Sequence, residues 1–199
     1  MLKLPQVTLV AFTGLDIEGH KKAIEYSCRE IEFGAVKLIV EHSNSIDEWN
    51  RKIIYELPKH IDTKFCLLIH ADGYIIHPES WREEWLSYDY IGAPWPLPRD
   101  SFSYRDINGV VQRVGNSVSL RSKRLLDFAN TASLEWKAFH GFTNEDGFIC
   151  INYRHEYEKA GMKFAPFEVA KYFSKEHEIP ENVGIKTFMF HKYGRGNIS

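Results

Sequence analysis

Two short patterns place side chains that can bind a cation or move a proton. The first is His70-Ala71-Asp72-Gly73, directly after the unbroken apolar run Phe65–Ile69. Residues two apart leave the same face of an extended chain, so His70 and Asp72 offer a nitrogen and a carboxylate to one cation. Taken by itself, the triplet reads first as a polar strand end, with Gly73 allowing a turn geometry that a side chain would resist. The second pattern, Asn144-Glu145-Asp146, puts two carboxylates in the first turn of a helix. Acids there complement the positive end of the helix dipole; alternatively one faces a crevice as general base, with Asp146 the first choice and Glu145 the reserve. His191 follows the apolar segment 187–190, and a lone histidine is usually a surface or satisfied core residue. With Asp72 and His70, however, it supplies the components of an open Mn²⁺ or Mg²⁺ site in which a diphosphate adds the remaining oxygens.

Open α/β sheets present ligands at the carboxyl ends of their strands, where a rigid strand carries polar groups into the crevice. Residues 7–12 read as a central strand closed by Thr13-Gly14, and residues 17–31 as a helix with Ile24, Cys28 and Ile31 on one face and Gly34 just past its end. Residues 36–40 read as a second buried strand, which completes a right-handed parallel βαβ unit. Ser45 and Glu48 form a capping box for a helix running to Tyr55, and residues 65–69 are the third strand. Trp81 and Trp85 fall one turn apart on a short helix after Pro78. Residues 89–95 and 110–120 are strands, and Ser122 caps a helix to Phe128. Residues 145–160 read as one helix, reached through Gly141, with Asn144 as cap and Gly161 as stop. Residues 96–108 have no period, and a loop of that length inside a compact domain is usually functional or mobile; Trp95, Phe102 and Tyr104 lie in or beside it, and aromatic side chains can stack on sugar rings and bases. The elements make one α/β domain over residues 1–199, with a mixed, mostly parallel sheet between helices.

At 199 residues, 44% hydrophobic and 26% charged, the chain has the composition of a globular domain. Its net charge of −2 gives little room for the basic stripe of a nucleic-acid reader. Arg113, Arg121, Lys123 and Arg124 form a small cluster that reads as a solvated face. No segment approaches a transmembrane helix, the first six residues lack the apolar region of a secretory signal, and Cys28, Cys66 and Cys150 read as reduced core residues, so a cytoplasmic location is expected. There is no G-x-G-x-x-G, G-K-S/T or G-x-S-x-G pattern, which argues against dinucleotide dehydrogenases, P-loop kinases and α/β-hydrolases.

The run from Leu57 through Pro96, with VGNSVSLRS at 114–122, EDGFIC at 145–150, GMKFAP at 161–166 and FMFH at 188–191, closely resembles a family of bacterial and viral proteins of unknown function. That family is similar to compact GT-A glycosyltransferases, with a Rossmann-like sheet. The resemblance implies a sugar transferred from a nucleotide-sugar donor, UDP-linked, to a hydroxyl acceptor on a glycan, with Mn²⁺ or Mg²⁺ as cofactor and inversion at the anomeric carbon. Asp72, with Gly73 beside it, matches the aspartate motif that holds metal and diphosphate, and His191 takes the place of a C-terminal histidine that completes the metal shell. Asp146 or Glu145 matches the carboxylate that deprotonates the acceptor. The strand end Ala11, Phe12 and Thr13 is where the nucleotide base is met. Where the wider class has two aspartates this chain has His70 and Asp72, and the resembled family more commonly carries a glutamine in place of His70. Other functions compatible with these residues are a carbohydrate- or nucleotide-binding module without turnover and a nucleotidyltransferase, which would release pyrophosphate.

Overall fold

The computed structural model describes residues 1–137 and 144–192; the expected lead-in from Gly141 lies outside them. A five-stranded sheet has the order β2-β1-β3-β5-β4. Strands β1 (Leu2–Thr13), β2 (Ile31–Val40) and β3 (Phe65–Ile69) are parallel. Strand β5 (Val114–Ser122) runs antiparallel to both β3 and β4 (Tyr90–Pro94), so four strands share one direction. Alternate residues of β3 serve opposite faces. Leu67 and Ile69 pack with Leu9, Val118 and Trp85, while Cys66 and Leu68 pack with Val10, Ile53 and Leu126. Each fully buried aliphatic side chain in these layers contributes roughly 1.5–3 kcal/mol.

Helix α1 (Ile17–Ser27) joins β1 to β2 and ends earlier than the apolar spacing suggests. Ile31 opens β2 rather than closing the helix, and Gly34 lies inside the strand. A Cβ on Gly34 would stand 2.0 Å from the Pro5 carbonyl oxygen, where the β1–β2 register shifts. The glycine therefore serves close strand approach, not a helix stop. β2 is also an edge strand, with Val36 and Val40 about half exposed, rather than a buried one. Helix α2 (Ile46–Tyr55) is capped by Ser45 Oγ, which accepts the Glu48 N–H at 3.1 Å. The Glu48 carboxylate accepts the Asn44 N–H at 2.8 Å, one residue before the position a capping box would use. Trp81 and Trp85 meet edge to face at 5.2 Å, but Trp81 follows one short 3-10 turn and Trp85 lies in the next, rather than both on one helix.

After β5, Ser122 caps α3 (Lys123–Thr131). The expected 145–160 helix is interrupted: α4 (Glu145–Gly147) passes into a π-helical turn over Phe148–Asn152, and α5 (Arg154–Lys159) restarts after Tyr153. The Asn144 side chain makes no cap bond. Asn50 of α2 caps from outside instead, its Oδ1 accepting the Glu145 N–H at 3.1 Å. Gly161, at φ 81°, ends the segment as expected. Helix α6 (Phe167–Phe173) leads to β6 (Ser174–Lys175), which pairs in parallel with β7 (Met189–Phe190). Among the described residues no helix is long and apolar enough to cross a membrane.

Candidate active site

The β6–β7 pair brings the end of the described chain to the end of β3. The His191 N–H donates to the Lys175 carbonyl at 2.9 Å, and the Lys192 N–H to the Asp72 carbonyl at 2.8 Å. His70 and Gly73 exchange backbone hydrogen bonds in a tight turn. Gly73 is required here by packing: a Cβ would lie 2.6 Å from Val118 Cγ2 and 2.9 Å from His191 Cδ2. As a result His70, Asp72 and His191 each offer a ligand atom within 4.8 Å of one another. His191 Nε2 stands 3.7 Å from Asp72 Oδ1, and the two imidazoles lie 5.1 Å apart between ring centres. His70 Nε2 meets Ser117 Oγ at 2.8 Å.

Burial, and then the neighbouring His191, holds the His70 imidazole well below its usual pKa. His191 is also lowered, by burial first, with Glu176 and Asp72 acting in the opposite sense. Two imidazoles kept uncharged at neutral pH, plus one carboxylate, are a donor set that suits a divalent transition metal. His191 Nδ1 is buried with no hydrogen-bond partner among the described residues. The residues present thus fit a bound cation on chemistry and spacing.

Glu145 and Asp146 are sent to different places. The Glu145 carboxylate lies 2.9 Å from Arg121 Nη2, with the side chains 3% and 0% exposed. Arg121 is therefore no part of a solvated basic face; Ser119 Oγ and the Ser117 carbonyl accept its other hydrogen bonds. Burial would lower the guanidinium pKa, and the charge of Glu145 outweighs it. The remaining members of that basic cluster are also paired, Arg124 with Asp89, Lys123 with Asp127 and Arg113 with Glu181. Asp146 is partly exposed, and its carboxyl is pushed up to about 7 by burial and by the adjacent Glu145 charge. The carboxylate of Glu145, the reserve choice for the base, is turned into this buried pair.

One cavity is lined by His70 of the His70–Asp72–His191 group, and a second by Glu176 and Lys192, the neighbours of His191. The first, of about 330 Å³, lies at the end of β1 and is lined by Thr13, Gly14, His20, Asn44, Trp49 and His70. Ala11 and Phe12 sit behind it, fully buried, and the Phe12 carbonyl accepts the Trp49 indole N–H at 3.0 Å. The other, of about 250 Å³, is lined by Trp95, Tyr104, Asn144, Asp146, Glu176 and Lys192 among others. Trp95, nearly buried, stacks on Tyr104 at 4.9 Å, and Phe102 also lines this cavity. Sequence reasoning passed over Ser117, Glu176 and Lys192. Nothing in their local pattern marks them, because each is brought in by strand pairing rather than by spacing.

A family model described as "Protein of unknown function (DUF5672)" matches residues 42–190. The chain belongs to that family. The DUF5672 match begins after β2 and includes His70, Asp72, Asp146 and Glu176, but stops one residue short of His191. No curated protein matches this DUF5672 chain by sequence. Among solved structures it is similar to the crystal structure of a glycosyltransferase involved in the glycosylation of the major capsid of PBCV-1. The TM-score is 0.57 at 11% identity, over 93% of this chain and 92% of that one. At that identity the likeness is one of fold, and the fold is glycosyltransferase-like.

Proposed function

We propose that this protein is a single-domain glycosyltransferase of the GT-A type, moving a sugar from a UDP-linked donor to a hydroxyl on a glycan acceptor with inversion. The observation that carries this proposal is the order of parts along one edge of the sheet. A cavity at the end of β1 is followed by the His70–Asp72–His191 group, and then by a second cavity lined by two carboxylates: Glu176, tied to Lys192, and Asp146, whose affinity for a proton is raised. A general base at neutral pH needs a pKa near that pH, and about 7 meets the condition.

In this account the strand end Ala11–Phe12–Thr13 and Trp49 hold the nucleotide, and Asp72 with Gly73 borders the diphosphate. Asp72 and His191, with His70, would hold Mn²⁺ or Mg²⁺, which supplies positive charge where the leaving diphosphate becomes more negative. Asp146 takes the proton of the acceptor hydroxyl. The acceptor oxygen bonds to the anomeric carbon from the opposite side, and the bond from that carbon to the diphosphate oxygen breaks with its electron pair leaving on the diphosphate. Arg121 and Glu145 keep Asp146 in place from beneath. The 96–108 segment, carrying Phe102 and Tyr104, is placed to close over the acceptor and exclude water. Three free cysteines suit a reducing compartment such as the cytoplasm.

The test is release of nucleoside diphosphate from a panel of nucleotide sugars with Mn²⁺ and glycan acceptors. Acceptor-stimulated release from one donor class supports the transferase. Release of pyrophosphate instead would indicate a nucleotidyltransferase, and tight donor binding without any release, a binding module.

A further inference from the structure

The imidazole of His191 lies between two carboxylates. On the Nε2 side is Asp72 at 3.7 Å; on the Nδ1 side is Glu176, whose Oε1 is 3.6 Å away. Glu176 is nearly buried, with a side chain 7% exposed, although it is a carboxylate. Its Oε1 also accepts from Lys192 Nζ at 2.7 Å. Lys192 is itself fixed, at φ 55° and with its N–H on the Asp72 carbonyl. His191 is anchored through its own N–H to the residue before Glu176, Lys175. The pair 175–176 and the pair 191–192 therefore hold each other by backbone on one side and by the carboxylate on the other.

A buried imidazole nitrogen without a partner is costly, and among the described residues His191 Nδ1 is such an atom. A carboxylate facing it can accept from Nδ1–H after a small movement, which fixes both ring orientation and tautomer. Histidines that bind metals commonly donate their second nitrogen to a carboxylate in this way, and loss of that carboxylate typically weakens metal binding by about 10–100-fold.

We propose that Glu176 is a positioning residue for His191: it keeps the ring proton on Nδ1 and leaves the Nε2 lone pair turned toward Asp72. Its consequence for a cation rests on the function proposed above, whereas its effect on the tautomer does not. Lys192 holds Glu176 in place through Oε1 and offsets its charge, while Oε2 faces His177 Nε2 at 3.5 Å.

The experiment uses the intact chain and two readouts. Long-range ¹⁵N–¹H NMR, without metal, reports the His191 tautomer in wild type, Glu176→Ala and Glu176→Gln. Titration with Mn²⁺ followed by electron paramagnetic resonance reports affinity in the same three proteins. The proposal expects the Nδ1–H tautomer in wild type, its loss in Glu176→Ala, and a mixture in Glu176→Gln, whose amide can present either donor or acceptor. Mn²⁺ affinity falls about 10–100-fold in Glu176→Ala and less in Glu176→Gln. Should the alanine variant not fold, the glutamine variant and the wild-type tautomer decide. An Nε2–H tautomer in wild type, or a tautomer unaffected by either substitution, overturns the proposal. A Glu176-dependent tautomer in a protein that binds no Mn²⁺ supports the positioning role and removes the metal from the proposed function instead.

Discussion

Beneath the crevice, Arg121 and Glu145 are paired with each other; within it, His191 faces Asp72 and Glu176 across gaps. Arg121 and Glu145 meet at 2.9 Å, and serine and backbone oxygens take further guanidinium hydrogen bonds. One residue further on, Asp146 accepts from the Gly147 N–H, and His191 stands more than 3.5 Å from both carboxylates beside it. Charges taken from water need a partner at contact distance, or they cost the fold several kcal/mol. The lower region gives each charge an opposite charge at contact distance, although Arg121 Nη1 has no hydrogen-bond partner among the described residues. The upper region ties His70 to Ser117 and Glu176 to Lys192, yet holds His191 close to two carboxylates and short of contact with either, which is the arrangement a ligand or cation can complete.

The sharpest way to break the comparison is to exchange the roles of the two adjacent acids. Asp146→Asn is expected to lower turnover by about 10²–10⁴-fold while leaving donor binding intact, as measured by initial rates and by calorimetric titration of the donor. Glu145→Ala leaves a buried guanidinium without its counter-ion and is expected to cost about 3–5 kcal/mol in urea unfolding. If Glu145→Ala spared stability and abolished turnover alone, the assignment of the two acids would be reversed.

pH separates the regions more finely. The folded-state pKa of Asp146 is raised from 3.8 to about 7, so the folded chain resists its ionisation. The resulting penalty is absent below the unfolded pKa, grows as pH rises, and is complete above about 7. Asp146→Asn is therefore expected to be more stable than wild type at pH 8, by on the order of 1–2 kcal/mol, and equal to it near pH 3. Wild-type activity should rise with pH through about 7, as the base form appears. Thermal unfolding and a pH–rate profile check the two halves. The smallest effect belongs far from the crevice: Ser45→Ala removes the α2 cap and should cost about 1 kcal/mol without altering turnover.

The strands were legible where a single element determined its own pattern. Phe65–Ile69 is bounded in the structure as its apolar run predicts, and Ser45 caps α2 because the hydroxyl needs only local backbone to act. Elements whose shape depends on another were not. Gly34 looks like a helix stop until β1 lies across it. The break in the 145–160 helix follows from packing: Phe148, Ile149, Cys150, Ile151 and Asn152 are all buried, and five consecutive buried residues do not fit a one-faced helix. In the crevice, the His70–Asp72 spacing and the two acids could be picked out from residue type. Which acid faces the cleft could not, because Arg121 reads as a surface cation until β5 is placed between β3 and β4. Glu176 carried no signal at all, since its role depends on the pairing of two two-residue strands.

The most direct test of the central claim is a thermal-shift panel of nucleoside diphosphates and nucleotide sugars, with and without Mn²⁺, on wild type and Asp72→Ala. Asp72 has a well-exposed side chain, so its loss should leave the unliganded protein's melting temperature nearly unchanged. The account predicts that uridine nucleotides raise the wild-type melting temperature only with Mn²⁺, and that Asp72→Ala abolishes the shift. Equal stabilisation of both proteins, or no response at saturating ligand, would contradict a sugar-nucleotide site at the end of β3.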